Sequence, residues 1–420
     1  MLPETQFSVL PSRSTTQALK YAIDYIKAKQ TAGKPTYAAF IDFKKAFDSV
    51  PRGRLLSELA NRFNIRGRMF NLLRGILEEN FIQIKNGSSI IAQEIKQNIG
   101  VPQGDPASPF LYIAYATGLA ECLNAVRAEH VFYADDLVIM AKSREQLQLY
   151  LHEAATWCRE NMLQMNTSKT KVMRFGRGGA YAKADHKIAI NGHRLELVSS
   201  FPYLGVTLTP KRSFTRHLQE KTAKAAAATA LCGNLQEVSI KTAMNIFRIK
   251  ILPILSYALK SFSPLLTLEN LKQIDRVKTT FLKRVLGLYR NASSTLTLQL
   301  TREPPLVEEL ILNGYEFQQA SLELYREFRE ARNLDFVANR TDGPAFANDK
   351  WRASLQKNRS LLCRITAHGF HHELCLAESS CAKILKCTCK YCGDTDIERY
   401  HILQCTALDH SSLAATVAAL

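Results

Sequence analysis

Three acidic residues stand where acids are costly. Asp42 follows the apolar run Tyr37–Ile41, and Asp135 and Asp136 follow Val131–Ala134. A carboxylate at the end of a buried strand is unfavourable unless paired or metal-bound, and adjacent carboxylates at a bend also repel. A divalent cation with oxygen ligands resolves both problems. Two such ions held by shared aspartates displace at phosphorus, one activating the attacking oxygen and the other stabilising the leaving oxygen. Alone, an Asp-Asp pair would equally suit an ordinary polar hairpin turn.

A second constellation lies near the C-terminus. Seven of the ten cysteines fall between Cys363 and Cys405, whereas Cys122, Cys158 and Cys232 are scattered singly, as core cysteines are. Cys389 and Cys392 form one pair of candidate ligands, and His401 and Cys405 another. Three thiolates and one imidazole suit tetrahedral zinc, with Cys387 as an alternative ligand. Reduced, unliganded cysteines are the other reading, and Cys375 and Cys381 are left over.

The balance of charge narrows the partner. Lys and Arg total 55 against 38 Asp and Glu, a formal charge of +17 and an isoelectric point near 9.4. That excess favours a polyanion through counterion release. It is steepest between positions 161 and 224, where twelve cations face three acids, a net +9. At 46% hydrophobic and 22% charged, 420 residues have the composition of an ordinary globular chain with room for two or three domains. No run of about 18 apolar residues is present, which predicts no membrane span. Met1–Thr5 lacks the basic and apolar regions of a secretory signal.

The elements that must carry these residues can be read from periodicity. Ser14–Thr16 caps a predicted helix through Ala18, Leu19, Ala22, Ile23 and Ile26. Tyr37–Phe43 reads as a buried strand with Asp42 near its end. Helices are predicted over Leu55–Phe63 and Met69–Leu77. Strands over Phe81–Lys85 and Ile90–Ile95 join through Asn86-Gly87. A Gly/Pro-rich loop, Gly100–Pro109, leads into a helix to Val126. Val131–Met140 reads as a hairpin with the two acids at its bend, and Arg144–Met162 as an amphipathic helix. Strand-rich pieces follow at Lys171–Phe175 and Ile188–Leu208. Beyond Pro210 the pattern is helical to about Phe336, so an α+β domain precedes a helical one. One helix, Leu271–Leu288, carries an apolar stripe, with Lys272, Arg276 and Lys283 expected on its far side.

These pieces resemble the reverse transcriptases of non-LTR (LINE-like) retrotransposons. Phe40–Asp48 is similar to the first palm motif, Gly100–Pro109 to the second and Phe132–Asp136 to the third. Asn166–Lys171 is similar to the fourth, and Phe201–Gly205 to the primer grip. All five stand in the family's order between Gln6 and Leu208. The resemblance implies a right-hand polymerase: palm and partial fingers over 1–210, a helical thumb with connecting helices over 211–345, and a zinc-knuckle segment over 346–420.

It also implies roles. Asp42, Asp135 and Asp136 would ligate two Mg2+ or Mn2+ ions, with the Phe43 carbonyl completing a shell. Phe47 stands where the family places an aromatic gate against a ribose 2'-hydroxyl, and a core aromatic is the alternative. Gln103 and Gly104 would lie against the incoming nucleotide and the templating base. Lys169 would neutralise or protonate the departing pyrophosphate, unless it is a solvated surface lysine. Tyr203, Leu204 and Gly205 would hold the primer. Cys389, Cys392, His401 and Cys405 match the family's zinc knuckle. The implied partners are an RNA template, a DNA primer or target DNA and dNTPs, in the nucleus or cytoplasm, with no membrane.

The resemblance has gaps. Ser8, Val9 and Leu10 stand where Gly, Phe and Arg are usual, and the family carries more finger sequence than precedes Phe40 here. No endonuclease or RNase H segment is apparent. The expectation is therefore a polymerase truncated at its N-terminus, the alternative being an inactive nucleic-acid-binding remnant or a domesticated retroelement protein.

Overall fold

A computed structural model describes residues 2–330 except 34, 84, 87–88, 91–93, 177–186, 291, 293 and 302. The C-terminal cysteines and His401 lie outside the described residues. The chain divides into two compact units, Met1–Phe214 and Thr215–Leu420.

In the first unit, helix α1 (Thr15–Thr31) begins at Ser14, whose side chain accepts from the Gln17 N–H. Strand β1 (Thr36–Ile41) follows, then α2 (Arg52–Asn61) and α3 (Gly67–Glu78). Four two-residue strands, β2 (Phe81–Ile82), β3 (Lys85–Asn86), β4 (Ser89–Ile90) and β5 (Ile95–Lys96), replace the two longer ones predicted there. They nest, β2 pairing with β5 and β3 with β4, with Asn86 opposite Ser89 in the inner pair. Next come α4 (Ser108–Ala125), the hairpin β6 (Glu129–Tyr133) and β7 (Asp136–Ala141), and α5 (Arg144–Glu160). Strands β8 (Lys171–Phe175), β9 (Ala189–Ile190), β10 (His193–Arg194), β11 (Glu196–Leu197), β12 (Phe201–Tyr203) and β13 (Val206–Leu208) complete the unit.

Five of these strands form one sheet in the order β11-β8-β1-β7-β6. Its central strand lacks polar alternation because both faces are covered. Ala39 and Ile41 pair with Ile139 and Leu137 and join the core formed with α2, α4 and α5. Phe40 points the other way and stacks on Phe201 of β12, ring centroids 4.4 Å apart. Helix α4 is apolar on nearly every side and sits deepest. At Gly118 it meets α5 so closely that a Cβ would lie 2.9 Å from Trp157. Of the single cysteines Cys158 is buried, but Cys122 and Cys232 are half-buried.

The second unit is helical throughout its described residues: α6 (Thr215–Ala230), α7 (Ile240–Ile246), α8 (Leu252–Ser256), α9 (Leu259–Phe262), α10 (Leu268–Leu286), α11 (Ser294–Thr301), α12 (Leu306–Leu312) and α13 (Gln319–Glu330). A π-helical turn, Phe247–Ile251, separates α7 from α8, just before Pro253. A proline cannot donate to the preceding turn, so the wider turn absorbs the mismatch. Thr267 and Asn270 cap α10 reciprocally, and Gly287 ends it at φ 69°. Leu271, Ile274, Phe281 and Val285 are buried as their spacing predicts.

The cations of α10 require a correction. Lys283 is buried rather than presented outward, its Nζ donating to the Arg290 carbonyl at 3.3 Å. Lys278 is fully buried between Glu303 at 2.8 Å and Glu309 at 2.6 Å. The two acids satisfy a charge that helical periodicity alone could not place. No described helix is long and apolar enough to cross a membrane.

Candidate active site

Strand β1 ends at Ile41, opposite Leu137, so the antiparallel register carries Asp42 opposite Asp136. Strands β6 and β7 pair Tyr133 with Asp136, leaving Ala134 and Asp135 as a two-residue turn. Asp42 is tightly held. Its N–H donates to Thr170 Oγ1 at 3.2 Å, its carbonyl accepts from the Asn166 N–H at 2.7 Å, and its Oδ2 accepts from Asn166 Nδ2 at 2.9 Å. Asn166 and Thr170 belong to the fourth palm-like motif, yet neither was among the expected site residues.

The three acids feel one another. Burial raises the Asp135 carboxyl, opposed by its own backbone hydrogen bond and aided by repulsion from Asp42. Desolvation, then Asp135, then Asp42 push Asp136 up to about 6. Carboxylates that raise one another in this way are what a multivalent cation relieves. The donor set is all oxygen, suited to a hard ion such as Mg2+ or Mn2+ rather than to zinc. Even so, among the described residues no three His, Cys, Asp or Glu side chains stand in a coordination arrangement.

Two recesses open beside Asp42. One, of about 400 Å3, is lined by Asp42, Asp136 and Lys169 together with Phe201–Gly205. The other, of about 600 Å3, is lined by Asp42, Phe43, Lys44, Lys45 and Lys169, among others. Lys169 therefore lines both. Phe43 lines the second recess. Tyr203, Leu204 and Gly205 line the first, and the pairing of Tyr203 with Val206 makes Leu204-Gly205 a two-residue turn. Both turn residues have positive φ, 44° and 76°, the signature of a type I' hairpin. The Tyr203 hydroxyl is buried with no hydrogen-bond partner among the described residues.

Phe47, Gln103 and Gly104 line neither recess, nor does Asp135. Phe47 is half-buried and stacks on Tyr112 with centroids 4.6 Å apart. Tyr112 is fully buried, and desolvation followed by Asp135 holds its phenol well above its ordinary value. Gln103 Nε2 donates to Asp48 Oδ1 at 2.8 Å, and Gly104, at φ 90°, has open space where a Cβ would project.

The second-motif loop is anchored to the first motif. Gly100 and Val101 donate their N–H groups to the carbonyls of Val50 and Phe47, each at 2.9 Å. At Gly100 a Cβ would lie 2.7 Å from the Asp48 backbone, so only glycine fits. Arg52, which nothing in the sequence marks, is buried beneath this loop. It donates to the carbonyls of Gly100 (2.7 Å), Leu77 and Gln97. Gln6 and Ser8 are likewise buried, against the turn at Ala134.

Residues 1–208 match the family described as "Reverse transcriptase (RNA-dependent DNA polymerase)". The chain is similar to the RNA-directed DNA polymerase from mobile element jockey of Drosophila melanogaster, 24% identical over 68% of this chain and 32% of the relative. It is also similar to the probable RNA-directed DNA polymerase from transposon BS of the same organism, 28% identical over 53% of this chain and 25% of the relative. A third relative is the Pol polyprotein from the type-1 retrotransposable element R2 of Popillia japonica, 23% identical over 63% and 38%. The chain thus spans well under half the length of the curated relatives it matches. Among solved structures, apo telomerase from Candida Tropicalis is similar at 11% identity and a TM-score of 0.41, over 67% of this chain and 46% of that one.

Proposed function

Since residues 1–208 belong to the reverse transcriptase family, of the kind carried by non-LTR retrotransposons, we propose that the chain extends a DNA primer with dNTPs on an RNA template. The new bond joins the primer O3' to the α-phosphorus, and the bond from that phosphorus to pyrophosphate breaks. The supporting observation is the register that brings Asp42, just beyond the end of β1, opposite the Asp135-Asp136 turn of the adjacent antiparallel hairpin.

Asp42, Asp135 and Asp136 would hold the divalent ions, Mg2+ or Mn2+. When bound, such ions activate the attacking oxygen and offset charge on the leaving one. The chain's own contribution is positioning and charge. Asn166 fixes the Asp42 carboxylate from one side. Lys169 is placed to neutralise the departing pyrophosphate, and the Phe43 carbonyl to support the ion shell. Tyr203, Leu204 and Gly205 hold the primer end in the first recess. Phe47 excludes a 2'-hydroxyl, with Gln103 and Gly104 against the nucleotide and templating base. Cys389, Cys392, His401 and Cys405 bind one zinc and help hold nucleic acid; metal analysis of reduced protein tests this with an expected content of about one zinc per chain. The intracellular setting, nucleus or cytoplasm, follows from the same reading.

The experiment that tests the main reading is primer extension on an RNA template by the purified chain. Extension that Asp135→Ala abolishes while RNA binding persists is expected. A second reading, a nucleic-acid-binding protein without catalysis, draws on the chain's formal charge of +17. Undiminished RNA binding with no extension in Mg2+ or Mn2+ would favour it.

A further inference from the structure

The turn that carries Asp135 has an exposed weakness. Its first residue, Ala134, is at φ 53°, the left-handed region that an L side chain with a Cβ adopts at a cost. The β6–β7 ladder closes at Tyr133 and Asp136, so the Ala134 N–H has no partner within the hairpin. A half-buried backbone donor needs an acceptor from elsewhere.

That acceptor comes from the first residues of the chain. The Ala134 N–H donates to Ser8 Oγ at 2.9 Å and to Gln6 Oε1 at 3.1 Å. Gln6 Oε1 also accepts from the Ser8 N–H at 3.1 Å, which ties the two acceptors together. Both residues are 2% exposed. The segment is docked along β6 by a short parallel bridge between Gln6 and Phe132. Phe7 donates to the Phe132 carbonyl and Phe132 to the Thr5 carbonyl, both at 2.9 Å. Arg13 Nη1 donates to the Gln6 carbonyl at 2.6 Å, and Thr5 Oγ1 meets His130 Nε2 at 2.9 Å.

We infer that Gln6 and Ser8 are positioning residues of the carboxylate turn: their side-chain oxygens hold the Ala134 amide and so fix the backbone from which Asp135 and Asp136 project. This deepens the polymerase reading above and rests on it. Ser8 is notable because it stands where glycine is usual in the resembling family. Here the hydroxyl supplies a second acceptor for an amide that needs only one. The arrangement is therefore redundant, and redundancy gives it a signature that simple destabilisation lacks. Losing one acceptor leaves the amide satisfied; losing both leaves it orphaned.

The test uses the full chain in four forms: parent, Ser8→Ala, Gln6→Met and the double variant. Each single variant should keep turnover within about threefold of the parent. The double should lose about tenfold or more, because an amide left unsatisfied in a half-buried turn shifts an equilibrium by that order. The loss should appear in kcat at saturating primer-template, with KM for dNTP little changed. Ser8→Thr in the Gln6→Met background keeps a hydroxyl and should restore turnover that Ser8→Ala does not. Amide hydrogen exchange gives a readout independent of activity: Ala134 should be protected in the parent and both single variants, and fast in the double. Additive effects of the two substitutions, or parental turnover in the double variant, would overturn the inference. So would an Ala134 amide that exchanges equally in all four. If the parent itself extends no primer, the polymerase reading fails, while amide exchange still decides whether the clamp exists.

Discussion

Asn166 grips Asp42 twice, its main-chain N–H on the Asp42 carbonyl at 2.7 Å and its side-chain amide on Oδ2 at 2.9 Å. One residue thus sets both the position of the strand end and the orientation of its carboxylate. Removing the side chain keeps the first contact and deletes the second. Asn166→Ala should therefore lower stability by only about 1 kcal/mol, the worth of an ordinary hydrogen bond. Extension should fall further, about tenfold, because a free Asp42 carboxylate no longer points consistently at the ions. The Mg2+ concentration giving half-maximal rate should rise. An unchanged Mg2+ titration would mean that Asn166 supports only the backbone.

The Tyr203 hydroxyl offers the opposite case. It is buried with no partner among the described residues, and burial followed by Asp136 raises its pKa far above the ordinary phenol value. An unpaired buried hydroxyl stabilises nothing, so Tyr203→Phe should leave the melting temperature unchanged or raise it. If the hydroxyl finds its partner on the primer, the same variant should weaken primer-template binding severalfold. Lower thermal stability in Tyr203→Phe would show that the hydroxyl already has a partner in the free protein.

Phe47 stacks on Tyr112 rather than lining either recess. The gate proposed for it and a purely core role differ in what its removal does. Phe47→Ala should raise ribonucleotide incorporation relative to dNTPs by about tenfold or more and destabilise the chain by about 2 kcal/mol. Destabilisation with unaltered sugar discrimination, measured in single-nucleotide competition, would leave Phe47 as core alone.

These cases show where sequence reasoning succeeds. Apolar runs ending in Asp42 and Asp135-Asp136 were readable because strand burial and costly acids are both local signals. So were the helices α1, α4 and α5, from caps and spacing. Arg52 was not, since its partners are main-chain carbonyls, and carbonyls carry no sequence mark. Gln6 and Ser8 were invisible for a related reason: their target is the amide of Ala134, more than a hundred residues away. Lys283 looked like a surface cation because nothing in α10 itself announces the Arg290 carbonyl, and nothing there announces Glu303 or Glu309 as partners of Lys278.

His217, on α6, makes the helical unit sensitive to acid. It is buried and meets Phe262 edge-on, and desolvation, then Lys221, lower its pKa from 6.5 to about 4. The folded value lies below the unfolded one, so on acidification the unfolded chain takes up a proton first. The contribution is complete above about pH 6.5 and is lost as pH falls towards 4, by at most about 3 kcal/mol. Denaturation of the helical unit at pH 7 and pH 5 should show this loss. His217→Gln should flatten the dependence in that window, and an equal slope in both proteins would assign it to other groups.

The buried charge of Lys278 gives the last prediction. Its ammonium lies between Glu303 and Glu309, and Arg248 reaches Glu309 at 3.2 Å and Glu303 at 3.6 Å from outside. Lys278→Met removes the central cation and leaves two acids facing one arginine. Breaking a buried pair from one side costs about 3–5 kcal/mol, more than the pair contributes over an apolar substitute. Lys278→Met combined with Glu309→Leu leaves the single pair Arg248–Glu303 and should recover at least half of that loss in denaturant unfolding. Because Lys278 is fully buried, it contributes no phosphate contact. The slope of nucleic-acid affinity against salt should therefore be the same in the double variant and the parent, whereas loss of a phosphate-binding lysine lowers it by about 1. A lowered slope would place Lys278 at the nucleic acid and require α10 to rearrange on binding.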